Sequence, residues 1–205
     1  MALRLPDDPG AGTPADGGDD AELAALRRTL ESGTPADRQW ALARLVALRA
    51  EQALTDCLRA ADAQAVLLAT AGLWECWLSE AGPAARRRMD QGIGHLNAGE
   101  LEAALEIFVE LTRRHPGWAE AHNKRATVLY LLGNARLSLQ ACRVVVRLKP
   151  HHFGAWNGMA LCAAQLERWA DALAAARRAL ELQPSAQANL DLIALAEQKL
   201  REENP

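Results

Sequence analysis

Aromatic residues are scarce in this 205-residue chain, at 4%: one Tyr, two Phe and six Trp. β-Branched runs of alternating polarity are missing, so no sheet is expected. No apolar run approaches the ~20 residues that span a membrane. The N-terminus has neither an apolar signal core nor an Arg-rich transit pattern, so cytoplasm is the expected place. The four cysteines, Cys57, Cys76, Cys142 and Cys162, show no C-x-x-C spacing and lie in apolar helical stretches. They read as small buried thiols of a reducing compartment. Excess positive charge is missing as well. A formal net charge of -3 without a recurring basic stripe argues against a nucleic-acid partner. There is no H-x-x-x-H, no Cys–His cluster of zinc spacing, no glycine-rich phosphate loop and no G-x-S-x-G elbow. Paired carboxylates are absent too, and Gly92 and Gly94 fall in mid-helix. No catalytic residue, cofactor or metal is therefore expected. His115, His151 and His152 lie at helix ends, where an imidazole suits the negative end of the helix dipole. His95 and His122 lie within helical stretches and read as core or semi-core residues.

What remains is a chain half hydrophobic, most of it Ala and Leu. Both lose little side-chain entropy in a helix, so the expected class is all-α. Residues 1–20 are rich in Pro, Gly and Asp, with Asp7, Asp8, Asp16, Asp19 and Asp20. Such a stretch buries too little to offset its ordering entropy and is expected to be a disordered acidic tail. A tail folding back onto a basic spot is the alternative.

Residues 21–82 carry a weak 28-residue repeat: Leu26 and Leu30 recur as Leu54 and Leu58, Ala41 and Leu45 as Ala69 and Leu73. Four helices are expected, near 22–31, 36–49, 51–60 and 63–80, with Thr34 capping and Pro35 starting the second. The pattern resembles a short HEAT-like unit, and a plain four-helix cap fits nearly as well. Trp74 and Trp77, three apart, share a helix face. They read as the seal between these helices and the next unit, with an exposed binding anchor as the alternative.

From residue 83 to 184 the period is 34. Pro116, Pro150 and Pro184 close the units; Leu105, Leu139 and Leu173 share one place. Small residues mark the close helix contacts: Gly92, Ala126 and Ala160 in the first helices, Ala104, Ser138 and Ala172 in the second. Gly99 and Gly133 occupy the turn, where Glu167 breaks the pattern. Such a period indicates helix–turn–helix units stacked into a solenoid, with helices near 84–98, 101–114, 119–132, 135–148, 153–166 and 169–182. Residues 185–205 read as a capping helix with Leu190, Ile193 and Leu200 turned inward.

These residues resemble the tetratricopeptide repeat (TPR), in three copies at 83–116, 117–150 and 151–184. The resemblance implies an α-solenoid whose first helices line a concave groove and whose second helices form the convex side. By helical spacing the groove residues are Met89, Ile93 and Asn97, then Asn123, Lys124, Thr127 and Tyr130, then Asn157 and Leu161. The implied function is a non-catalytic scaffold or adaptor holding a peptide or helix there. The alternative is a structural subunit that docks through its HEAT-like face with the groove unused. TPRs that hold heat-shock chaperone tails use a carboxylate clamp of Lys, Asn and Arg. The matching places here are Met89, Ile93, Lys124, Gly154 and Gly158, which implies no chaperone-tail binding by that mode.

Overall fold

The computed structural model describes residues 16–203, with side chains from Asp20 onward. Among these residues there are eleven helices and no strand. The tail expected over residues 1–20 lies outside the described residues as far as residue 15. Its last part opens the first helix, α1 (Asp16–Ser32).

Three more helices complete an N-terminal bundle: α2 (Pro35–Ala47), α3 (Glu51–Cys57) and α4 (Ala63–Leu78). The start of α2 follows from its own sequence. The Thr34 side chain accepts from the Asp37 N–H, the Asp37 carboxylate accepts from the Thr34 N–H, and Pro35 takes a place that needs no donor. All eight residues of the 28-residue repeat are buried together. Cys57, Cys76, Cys142 and Cys162 are free and buried, as small hydrophobic residues.

Three antiparallel helix pairs follow: α5 (Pro83–Asn97) with α6 (Leu101–Arg114), α7 (Ala119–Leu131) with α8 (Ala135–Leu148), and α9 (Phe153–Gln165) with α10 (Trp169–Leu182). The small residues do what close packing requires. Ala104, Ala126, Ser138, Ala160 and Ala172 are buried, and a Cβ on Gly92 would meet Phe108 Cε1 at 2.6 Å. Ser138 also donates its hydroxyl to the Ala126 carbonyl at 2.8 Å, stitching α7 to α8. Gly99 and Gly133 end their helices at φ 78° and 77°, in the left-handed region that glycine enters freely. Glu167 makes the same turn at φ 56° without that freedom.

The closing helix, α11 (Gln187–Glu203), turns Ile193 inward and half-buries Leu200 as expected, but not Leu190. Leu190 is exposed, while Asn189, Leu192 and Ala196 are buried and Ile193 packs beside Leu192. The spacing of three and four is helical. Its register is decided by the surface of α9 and α10, which the local pattern does not contain.

The N-terminal bundle folds back along the repeats, and this corrects the expected role of the tryptophan pair. Trp77 is fully buried, but the partners of the pair lie mostly beyond the first helix pair. Trp77 stacks on His152 with ring centroids 4.1 Å apart, and Trp74 meets Phe153 edge-on at 5.4 Å. Trp118, at the head of α7, donates its indole N–H to the Trp77 carbonyl at 2.6 Å. Phe153 and Leu182 belong to the same apolar core as Leu45 and Leu54. A buried aromatic seal of this kind is costly to remove, about 3–5 kcal/mol for Trp to Ala.

A polar clasp reinforces the seal. In the first turn of α3, Glu51 accepts from Lys149 Nζ at 2.8 Å, His151 Nε2 at 2.8 Å and Trp77 Nε1 at 2.9 Å. Burial pushes its carboxyl up, but the three donors outweigh that and hold it down at about 2. Arg59 adds a bond to the Glu181 carbonyl at 2.9 Å.

Candidate functional site

The first helices of the second and third pairs, α7 and α9, frame a cleft of about 180 Å³ with α8 as its floor. Asn123, Thr127 and Tyr130 come from α7, Gly154, Asn157, Gly158 and Leu161 from α9, and Ser138 and Cys142 from below. Five of the nine expected groove residues are thus brought together: Asn123, Thr127, Tyr130, Asn157 and Leu161. A helix presents side chains three and four apart on one face, which is why 123, 127 and 130 align with 157 and 161. Gly158 keeps the cleft open, since a Cβ there would lie 3.1 Å from Cys142 Sγ.

The polar groups differ in how free they are. Thr127 is exposed although its hydroxyl donates to the Asn123 carbonyl at 3.1 Å. Asn157 donates to Asn189 Oδ1 at 2.6 Å, tying the wall to the closing helix. Tyr130 is half-buried against Leu139 and Cys162, and Leu161 is 36% exposed. Asn123 lines the cleft but is nearly buried, with its amide given to Glu120 Oε2 at 3.1 Å.

The remaining expected residues lie elsewhere. Met89, expected to face a ligand, is fully buried among Phe108, Trp118 and Leu111. The first pair closes over it because the loop before α7 brings Trp118 down onto α5 and α6. Ile93 packs half-buried on the same core, and Asn97 is exposed at the last turn of α5; neither lines the cleft. Lys124, expected to offer a free charge, is 22% exposed and committed. Its Nζ lies 3.1 Å from Glu120 Oε1 and 5.2 Å above the Trp74 ring.

That lysine belongs to a buried cluster which sequence reading did not assemble. Glu120 and His152 are both fully buried, with His152 Nε2 donating to Glu120 Oε2 at 2.9 Å. His152 Nδ1 accepts the Ala155 N–H at 3.1 Å as the cap of α9, which assigns the proton to Nε2. Burial drives the Glu120 carboxyl upward, yet the hydrogen bond from His152 and the nearby Lys124 ammonium prevail and lower it. His152 is thus no solvated helix-end imidazole. His122, by contrast, is half-buried and bonded to the Pro116 carbonyl at 3.0 Å, and burial lowers its pKa.

Trp74 closes one end of the cleft. A Cβ on Gly154 would meet its Cη2 at 2.7 Å, so glycine is required where α4 crosses α9. The open part runs along Thr127, Tyr130 and Leu161. Among the described residues no group of three or more His, Cys, Asp and Glu stands together as a metal site.

Tetratricopeptide-repeat family models match residues 89–153 and 153–186. The chain is a TPR protein. Its three helix pairs are the repeats, α5, α7 and α9 their first helices. A TPR repeat-containing protein of Rhizobium etli is 41% identical over 58 residues, 28% of each chain. The matched stretch thus spans little more than a quarter of that relative. Among solved structures, the first TPR of Spaghetti (RPAP3) bound to an HSP90 peptide has a TM-score of 0.56 at 18% identity, covering 57% of this chain and 93% of that one. The TPR2B domain of yeast Sti1 in complex with an Hsp70 peptide gives 0.54 at 20%, covering 56% and 97%. MamA gives 0.55 at 16%, covering 75% and 85%. At such identities the likeness is one of fold.

Proposed function

We propose that this TPR protein is a non-catalytic scaffold or adaptor that holds a peptide or helix in the cleft between α7 and α9. The observation that carries the reading is that five groove residues predicted by helical spacing line one open cleft with mixed chemistry. Asn157 and Thr127 can meet a ligand backbone, while Tyr130 offers area with a polar tip and Leu161 an apolar contact. Peptide complexes among the structural neighbours support the same use of the fold. Chaperone tails are not the proposed cargo. At the places the clamp would use, Met89 is buried, Lys124 is tied to Glu120, and Gly154 lies under Trp74. No helix among the described residues is long and apolar enough to cross a membrane, and a cytoplasmic setting is part of the proposal.

A second reading rests on the N-terminal bundle, which we take as HEAT-like. Trp40 on α2 and Leu67 on α4 are each 62% exposed, and such residues could dock the chain into a larger assembly with the cleft unused. One experiment separates the two. Tyr130→Ala with Leu161→Ala, and Trp40→Ala with Leu67→Ala, are compared by proximity labelling and pull-down. Interface energy concentrates in few residues, with truncation costing ~2 kcal/mol or more at the best of them. Loss of the main partner only in the cleft variant, with helicity intact, is expected. Loss only in the bundle variant would replace the adaptor by the structural subunit.

A further inference from the structure

The convex side carries a second cleft, of about 460 Å³, between α8 and α10, and a neighbouring hollow of about 330 Å³ shares Leu139, Arg143 and Arg168 with it. Its origin is simple. Consecutive second helices are separated by the first helix between them, so a strip of α9 shows through as the floor. Trp156, Met159 and Ala163, spaced three and four apart, form that strip.

Charge is segregated onto the walls. The sequence of α8, ARLSLQACRVVVRL, contains three arginines and no carboxylate in a chain of net charge -3. Arg136 and Arg143 stand two turns apart on its exposed face, about 10 Å by helical rise, with Leu139 between them. Neither guanidinium has a hydrogen bond or an ion pair among the described residues. On the facing wall Arg168 pairs with Asp171, and Arg178 with Glu181 at 2.6 Å. Both pairs are exposed and three residues apart, a class of contact that stabilises little and is readily exchanged. The walls therefore set four arginines against two carboxylates over an apolar floor.

We propose that this convex cleft docks an acidic, amphipathic segment of a partner protein, independently of the concave cleft. Carboxylates of the segment would engage Arg136 and Arg143 through their paired N–H donors, while an apolar side chain rests on Met159 and Trp156. A phosphate backbone would satisfy the arginines but leave that floor uncovered, which favours a peptide over nucleic acid.

The test is fluorescence polarisation on the full chain with a fluorescein-labelled peptide of repeating Glu-Glu-Leu. Lys-Lys-Leu and Glu-Glu-Ser peptides and a single-stranded oligonucleotide serve as comparisons. The Glu-Glu-Leu peptide is expected to bind best, more weakly as salt rises. The double variant Arg136→Glu with Arg143→Glu should weaken it at least tenfold with an unchanged circular dichroism spectrum. Tyr130→Ala with Leu161→Ala should leave it unaltered, so failure here is distinct from failure of the concave reading. Absence of binding, equal binding to the arginine variant, loss in the concave variant, or an oligonucleotide that binds as well would each overturn the proposal.

Discussion

His152 donates to Glu120 at 2.9 Å across the joint of the second and third repeats, with neither side chain reaching solvent. The same imidazole caps α9 through Nδ1 and stacks on Trp77. One residue thus holds a helix start, a buried charge and the docked N-terminal bundle.

Replacing that histidine should be among the more damaging single changes. His152→Ala removes a hydrogen bond to a charged group, worth about 1.5–3 kcal/mol, and a helix cap worth about 1 kcal/mol. Urea denaturation should show the combined loss. His151→Ala, at a half-exposed neighbour, should cost less. Equal midpoints for the two variants would contradict the buried role.

Acid sensitivity should trace in part to Glu51. Its folded pKa of about 2 lies below the ordinary 4.5. The unfolded chain therefore binds more protons in this window, and stability falls as pH drops. The contribution is fully present above pH 4.5 and is lost between there and about 2. Glu51→Gln should lower stability at neutral pH and flatten the profile over that window, read from urea midpoints at stepped pH. A profile parallel to the parent's would argue against the clasp.

Overpacking at the close helix contact should be felt. Ala126 is buried where α7 meets α8, and its carbonyl receives the Ser138 hydroxyl. Ala126→Leu should cost typically ~1–3 kcal/mol and lower the melting temperature. An unchanged melting temperature would mean that this contact is looser than the geometry states.

The third turn offers the opposite case. Glu167 sits at φ 56° where the other repeats have glycine. Left-handed backbone costs an L-residue roughly 1–2 kcal/mol, while glycine's greater unfolded freedom takes back about 0.5–1 kcal/mol. Glu167→Gly should thus stabilise by on the order of 0.5–1 kcal/mol, visible as a higher melting temperature. A lower one would show that Glu167 makes a compensating contact.

Local spacing made most of the scaffold legible. Prolines and glycines punctuate the repeats because one cannot continue a helix and the other turns it cheaply, so all six repeat helices fall where the 34-residue period puts them. Small residues at 92, 104, 126, 138, 160 and 172 reported close packing because nothing larger fits between two crossing helices. The same logic placed Asn123, Thr127, Tyr130, Asn157 and Leu161 on one side of the array.

It failed where the partner of a face lies far away along the chain. Periodicity states that Met89, Lys124 and Trp77 share faces with their neighbours, but not what covers those faces. Trp118 covers Met89, Glu120 and Trp74 hold Lys124, and Trp77 lands on a histidine 75 positions onward. The sequence by itself determined the repeat, its helices, its turns and the small residues at its contacts, because these follow from interactions within one or two turns of chain. The tertiary structure alone decided which groove residues stay open and which are spent on the joint. That choice depends on docking the N-terminal bundle across the heads of α7 and α9, where burial and charge pairing act between segments that local pattern does not connect.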